Sequence, residues 1–141
     1  NKLENLLNLR TNESFDLLKD QALVGDRTKT NKLISNTIFE NEKNILYLNV
    51  INQRLMKLLE VKKISKNDNL DNAIGKVKPP IFWKDKAIFS LQARKWNSNK
   101  LKKMLDQTYQ IELKIKSNSQ ISQSLLIKKL LVDICCLANA S

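Results

Sequence analysis

The chain contains no histidine and only two glycines, two prolines and two cysteines among its 141 residues. Histidine is the commonest general base, and two adjacent cysteines alone cannot form an ordinary zinc site. Gly25 and Gly75 stand far apart in the sequence, so neither a P-loop nor a dinucleotide-binding glycine motif can be written. No group of residues resembles a catalytic constellation. The sequence therefore predicts no enzyme activity, no cofactor and no metal for this chain.

Long hydrophobic runs are also missing. The most apolar segment, from Ile121 onward, is interrupted by Lys128 and Asp133, whereas roughly 18 to 20 uncharged residues are needed to cross a bilayer. The chain begins with neither a signal peptide nor a methionine, so we expect a fragment of a longer cytoplasmic protein without membrane contact. Cys135 and Cys136 are adjacent in a helical pattern, where consecutive side chains point about 100° apart. We expect both to be free thiols in a reducing compartment.

Acidic residues are scarce in the second half of the chain. Of the net charge of +11, residues 1–60 contribute +1 and residues 61–141 contribute +10. A basic half favours an acidic partner, and nucleic acid is the first candidate. However, Lys outnumbers Arg 21 to 4, although phosphate-binding faces favour the bidentate guanidinium of Arg. The same Lys and Asn excess arises on any surface when the genome is AT-rich, so a basic nucleic-acid-binding domain is kept as the alternative function.

Hydrophobic residues recur at helical spacing along almost the whole chain, and no segment alternates strictly as a strand does. The sequence therefore predicts an all-α bundle of six or seven helices with short connections. Residues 1–12 are interpreted as the end of a preceding domain or a linker, and residues 13–141 as one helical domain. Ser14 is expected to cap the first helix, which is predicted to end at Gly25; the others cover about 27–40, 43–61, 70–74, 83–96, 99–116 and 120–137.

The apolar stripes of these helices predict which residues are buried. Gly25 is expected to take the left-handed position that ends the first helix, Asp26 is expected to cap the second helix, and either Asn97 or Ser98 is expected to cap the sixth. The residues expected to face the core are Phe15, Leu18, Ala22, Leu33, Ile34, Thr37, Ile38, Ile45, Leu48, Ile51, Leu55, Leu58, Leu59, Phe82, Ile88, Phe89, Leu91, Ala93, Trp96, Leu101, Met104, Leu105, Thr108, Ile111, Ile115, Ile121, Leu125, Leu130, Leu131 and Ile134.

The segment from Lys78 to Trp96 holds both prolines, both tryptophans and two of the four phenylalanines. The two prolines cannot lie inside a helix, because each lacks a backbone donor and its ring clashes with the preceding turn. The chain must therefore stop and restart at this point. Trp83 and Trp96 are interpreted as core anchors. Further along, Glu112 and Lys116 have the i, i+4 spacing of a surface ion pair.

Three short segments carry a resemblance to a known family. They are Pro79-Pro80-Ile81-Phe82-Trp83-Lys84-Asp85-Lys86, then Gln92-Ala93-Arg94-Lys95-Trp96, and finally Glu112-Leu113-Lys114-Ile115-Lys116. Together they resemble the C-terminal third of the delta subunit of bacterial DNA polymerase III, a clamp-loader subunit. In that family a Pro-Pro-aromatic start opens a helix that ends in an Arg and a bulky apolar residue. A Glu follows later, with a Lys four residues after it. The match covers about residues 13–137, and Ile111 departs from the Ala or Thr that usually precedes the Glu.

The resemblance implies that this chain is the last part of an AAA+ family protein, a helical collar domain, with residues 1–12 as the end of a small helical lid domain. Such collars join side by side with those of the gamma/tau and delta-prime subunits. By the same resemblance, the sliding clamp is contacted only through an N-terminal domain missing from this chain, and DNA only through the complex. The residues that the resemblance suggests for subunit contacts are Trp83, Lys86, Arg94, Glu112 and Lys116.

Overall fold

A computed structural model describes residues 13–117 and 122–140. This part of the chain contains seven α-helices and no strand, so the predicted all-α bundle of six or seven helices is confirmed. Short 3-10 turns at Asn41–Lys43 and Trp83–Asp85 precede the third and fifth helices. The interpretation of residues 1–12, and the expected burial of Ile121, lie outside the described residues. The helices are α1 (Glu13–Val24), α2 (Arg27–Asn36), α3 (Asn44–Ile64), α4 (Leu70–Lys76), α5 (Lys86–Lys95), α6 (Ser98–Lys116) and α7 (Gln123–Ala138).

The long helix α3 lies at the centre of the bundle. It packs along α6 and also contacts α4, α5 and α7. Ile51, Leu55 and Leu58 are fully buried on α3, and each such side chain stabilises the fold by about 1.5 to 3 kcal/mol. The first helix packs against α2, α5 and α7. The two ends of the described chain therefore meet in one core.

The helix ends follow the local sequence signals. Gly25 has φ of +87° and ends α1, because glycine accepts the left-handed region without a Cβ clash. The side chain of Asp26 then accepts a hydrogen bond from the Lys29 amide at 3.0 Å, which caps α2. Asn97 caps α6 in the same way by accepting from the Lys100 amide at 2.8 Å. All three predictions about these residues are confirmed.

Four residues expected in the core are exposed instead: Ile38 (78%), Leu125 (59%), Phe82 (57%) and Leu91 (49%). The first three lie at or beyond a helix end, whereas Leu91 lies within α5 on the side away from the buried residues Phe89 and Ala93. Ile38 follows α2, which ends at Asn36 rather than near residue 40. Phe82 precedes the turn before α5, which begins as an α-helix only at Lys86, and Leu125 is in the first turn of α7. The spacing of Ile38 and Phe82 continues the apolar stripe in the sequence, but their backbone lies outside the helix, and Leu125 is helical but lies at the exposed start of α7.

Three predicted helix boundaries are also wrong. Ser14 does not cap α1, because that helix already contains Glu13 and Ser14. The third helix continues past Val61 to Ile64, because buried Val61 and half-buried Ile64 extend its apolar stripe by another turn. The fourth helix does not stop at Gly75 but runs to Lys76. Lys76 Nζ lies 2.6 Å from the Asp68 carboxylate, which joins the last residue of α4 to the segment before it. This lysine, the Asn72 side chain and the Asn69 amide lower the pKa of Asp68 to about 2.

Candidate interaction surface

The aromatic residues of the Pro79–Trp96 segment divide between the core and the surface. Trp96 is 2% exposed, and its indole Nε1 donates a hydrogen bond to the Leu23 carbonyl at 2.8 Å. Phe89, on the helix α5 that Trp96 follows, is fully buried. The interpretation of Trp96 as a core anchor is confirmed. The same interpretation of Trp83 is wrong, because this side chain lies in the 3-10 turn before α5 and is 70% exposed.

Phe82, Trp83 and Lys84 form a surface cluster, which we name the aromatic patch. The ring centroids of Phe82 and Trp83 are 5.9 Å apart, and Lys84 Nζ lies 5.4 Å from the Trp83 ring centroid. The preceding Ile81 is buried and anchors the segment to the core. Aromatic side chains are enriched in protein–protein interfaces and often supply most of the binding energy there. An exposed pair of large aromatic rings is therefore suited to contact a partner.

Lys86 and Arg94 are both exposed near the two ends of α5. Eight residues separate them, which corresponds to roughly 12 Å along a helix axis. Neither side chain forms an ion pair with any residue that the structure describes. Their positive charges are therefore available to acidic groups of another molecule.

The predicted ion pair on α6 is present. Lys116 Nζ lies 3.1 Å from a Glu112 carboxylate oxygen, and the lysine side chain is 63% exposed. Such an exposed pair contributes only a few tenths of a kcal/mol to stability, about 0.3 to 0.5. Tyr109 and Leu113, one helical turn apart, are exposed beside it. We name these four residues of α6 the α6 patch.

The structure does not gather the five candidate contact residues into one cluster. Trp83, Lys86 and Arg94 belong to α5 and the turn before it, and α5 packs against α1, α3 and α4. Glu112 and Lys116 belong to α6, which packs against α3 and α7. The candidates therefore form two surfaces on two helices, both supported by α3.

A polar network inside the bundle was not predicted from the sequence. Arg54 Nη1 donates to Gln92 Oε1 at 2.9 Å and lies 3.4 Å from Asp20 Oδ1. Gln92, which is fully buried, donates from Nε2 to the Asp20 carbonyl at 3.2 Å. Lys19 Nζ lies 3.6 Å from Asp20. The network joins α1, α3 and α5 and satisfies polar groups that burial would otherwise penalise.

Lys19 is the most perturbed member of this network. Burial lowers the pKa of Lys19, and the Arg54 guanidinium lowers it further, against the opposing attraction of Asp20, Asp16 and Asp85. A sequence signal exists, because Lys19 is flanked at i−4 and i+4 by the buried residues Phe15 and Leu23. A charged residue inside an apolar stripe indicates a partner within the core.

An open groove lies along the outer face of α3 in its second half. We name it the α3 groove, and its volume is about 720 Å³. It is lined by Gln53, Met56, Lys57, Leu59, Glu60 and Lys63 of α3, with Pro79 and Leu105. A smaller groove of about 350 Å³ lies between α6 and α7, where Gln107 Nε2 donates to Asp133 Oδ2 at 2.7 Å. Neither groove was predicted, because each is formed by segments distant in sequence.

Residues 13–117 and 122–140 contain no group of three or more Cys, Asp or Glu side chains placed to hold a metal ion. Cys135 is buried and Cys136 is exposed, and both are free thiols, as predicted. Within the same ranges, no helix combines the length and the apolar character needed to span a membrane. No family model, curated protein or solved structure matches this chain.

Proposed function

We propose that this chain is a non-catalytic assembly domain, the helical collar of a clamp-loader subunit that acts in DNA replication in the cytoplasm. The family is that of the delta subunit of bacterial DNA polymerase III, and the proposal rests on the motif resemblance described above. The observation that carries it is the aromatic patch. It lies inside the resembling segment, and its two rings are more than half exposed on a rigid helical scaffold.

The partners in this proposal are the collar domains of the gamma/tau and delta-prime subunits. Trp83 with Lys86 and Arg94 supplies one contact surface, and the α6 patch supplies a second. A subunit of a closed ring needs two contact surfaces, one for each neighbour. Two separate surfaces on α5 and α6 agree with that requirement better than a single cluster does. Contact with the sliding clamp falls outside this domain in the family, and DNA is approached through the complex.

The test is reconstitution with purified gamma/tau and delta-prime subunits, followed by size-exclusion chromatography and a titration of affinity. The double substitution Phe82→Ala and Trp83→Ala should weaken the complex at least about tenfold, because interface aromatics commonly contribute 2 kcal/mol or more. The matched control is Leu17→Ala on α1, which removes an apolar side chain of comparable exposure. Urea unfolding of each variant establishes that the fold is intact. Absence of a complex with the unmodified chain at micromolar concentration would refute the proposal.

The alternative function is a basic nucleic-acid-binding domain. One observation favours it: Lys84, Lys86, Arg94, Lys102 and Lys103 are exposed on or near α5 and α6, and none pairs with a carboxylate among the described residues. Exposed aromatic rings beside lysines can also stack on the bases of single strands. The salt dependence of binding separates this alternative from the assembly domain.

A further inference from the structure

The α3 groove is not part of the surfaces proposed for contacts between collar domains. Its exposed face runs from Gln53 to Lys63, a distance of roughly 15 Å at the rise of an α-helix. Met56 lies within it and is 56% exposed, and the apolar side chains of Pro79 and Leu105 line it from two other segments. The volume of about 720 Å³ falls within the range of ligand sites, about 300 to 1,000 Å³. An elongated open groove of this size accepts a narrow segment of chain.

The charges of the groove are mainly positive. Lys57 Nζ donates to the Pro79 carbonyl at 2.5 Å, which fixes this ammonium at one side. Lys63 lines the groove and forms no ion pair with a described residue. Glu60 is the one acidic residue among those that line the groove in the described part of the chain.

We propose that the α3 groove binds a short acidic peptide segment of a partner protein. A bulky apolar side chain of the peptide packs against Met56 and Leu105, and its carboxylates lie beside Lys57 and Lys63. This arrangement follows the general mode in which apolar anchors fill a groove and flanking charges set orientation and partner choice. The binding site uses α3 and Pro79 rather than the aromatic patch or the α6 patch. The peptide-binding proposal can therefore be tested independently of the collar function.

The two methionines provide a direct readout. Met56 lies in the groove, whereas Met104 is 2% exposed in the core, so methyl-¹³C-methionine labelling gives one signal from the site and one internal control. The full chain is titrated at low salt with a pool of short peptides that combine Leu, Ile and Phe with Asp and Glu. A matched pool carries Lys in place of the acidic residues. We expect the acidic pool to shift the Met56 signal and leave Met104 unchanged, and the basic pool to shift neither.

Charge variants locate the binding. Lys63→Glu should weaken the binding of the acidic pool at least about fivefold, because the ammonium is replaced by a group of the same sign as the peptide. Lys95→Glu makes the same change on exposed α5, away from the groove, and should leave the affinity unchanged. An unmoved Met56 signal with the acidic pool, or equal shifts with both pools, overturns the proposal.

Other occupants of the groove give different results. A Met56 shift that depends on protein concentration without peptide would assign the groove to a second copy of the chain. A Met56 shift on removal of residues 1–12, again without peptide, would assign it to the chain's own N-terminal segment. Either result overturns the peptide proposal. Neither bears on the clamp-loader reconstitution, which is measured with different partners and different variants.

Discussion

The Trp96 side chain is held at both its ring and its nitrogen. The ring is 2% exposed, and Nε1 donates to the Leu23 carbonyl on α1. The indole therefore links the end of α5 to the end of α1 through packing and a directed hydrogen bond. Trp83, in the turn before the same helix, is 70% exposed and faces solvent. The same residue type serves stability at one position and is available for contact at the other.

Substituting each tryptophan separates these two situations. Trp96→Ala should lower the free energy of unfolding by about 3 to 5 kcal/mol, because it leaves a large cavity in the core. Trp83→Ala should lower it by less than about 1 kcal/mol, since surface substitutions away from special features have small effects. Urea denaturation followed by circular dichroism measures both. Equal losses for the two variants would contradict the assigned burial.

Lys19 provides a pH-dependent prediction. Burial and Arg54 lower the pKa of its ammonium below the ordinary value of 10.5. At a pH between the pKa of Lys19 in the folded chain and its higher pKa in the unfolded chain, the unfolded chain binds more protons. The unfavourable contribution of the charged lysine to the free energy of unfolding therefore disappears as pH rises. At pH 7 Lys19→Met should therefore raise the free energy of unfolding, and the difference from the unmodified chain should shrink as pH approaches 10.5.

The measurement for Lys19 is a series of urea denaturation curves from neutral to alkaline pH. Lys32→Met, at a position on α2 outside the polar network, is the control and should follow the unmodified chain throughout. The attraction of the Lys19 ammonium to Asp20, Asp16 and Asp85 opposes the lowering of its pKa by burial. A loss of stability in Lys19→Met at pH 7 would show that these carboxylates outweigh burial.

At the scale of the helices, replacing the two glycines by alanine is expected to change stability in opposite directions. Gly25 ends α1 with φ of +87°, and a Cβ there would lie 2.9 Å from the Asn139 side chain. Gly25→Ala should therefore cost about 1 to 2 kcal/mol or more. Gly75 lies inside α4, where an added Cβ would meet no described atom within 4 Å, so Gly75→Ala should stabilise by about 0.5 to 1 kcal/mol. Thermal unfolding of both variants gives the signs directly, and a gain from Gly25→Ala would contradict the described turn.

Features governed by neighbours in sequence could be predicted at this scale, and features governed by distant segments could not. Gly25, Asp26 and the Glu112–Lys116 pair depend on residues within one helical turn, and all three predictions hold. Ile38 and Leu125 fit the periodic pattern, but the helix ends or begins beside them. Periodicity does not reveal where tertiary packing stops a helix.

The candidate sites depend even more on contacts between distant segments, which the sequence pattern does not predict. The network of Asp20, Arg54 and Gln92 joins residues 34 to 72 positions apart, so no local sequence pattern predicts it. The exposure of Trp83 depends on the 3-10 turn that precedes α5, and that turn is not visible in the spacing of apolar residues. The α3 groove exists only because Pro79 and Leu105 are brought to the same side of α3.

For the whole molecule, the uneven charge leads to a test of the nucleic-acid alternative. We expect the isolated chain to bind duplex DNA no more tightly than ordinary non-specific binding, with Kd of about 10⁻⁴ to 10⁻⁶ M at physiological salt. The affinity should fall steeply with salt, since lysine contacts release counterions. Fluorescence anisotropy with a labelled duplex across a salt series measures both. Nanomolar, sequence-dependent binding by the chain alone would favour the alternative over the assembly domain.

The contact between the first and last described helices cannot form during synthesis until both helices have been made. Asn139 donates from Nδ2 to the Gly25 carbonyl at 2.8 Å, and α1 packs against α7. A ribosome that adds about 5 to 20 residues per second finishes α1 several seconds before α7 emerges. Until then Phe15, Leu18 and their neighbours lack one side of their core. The apolar face of α1 therefore stays partly uncovered until α7 has been made, and a truncation that removes α7 leaves it uncovered.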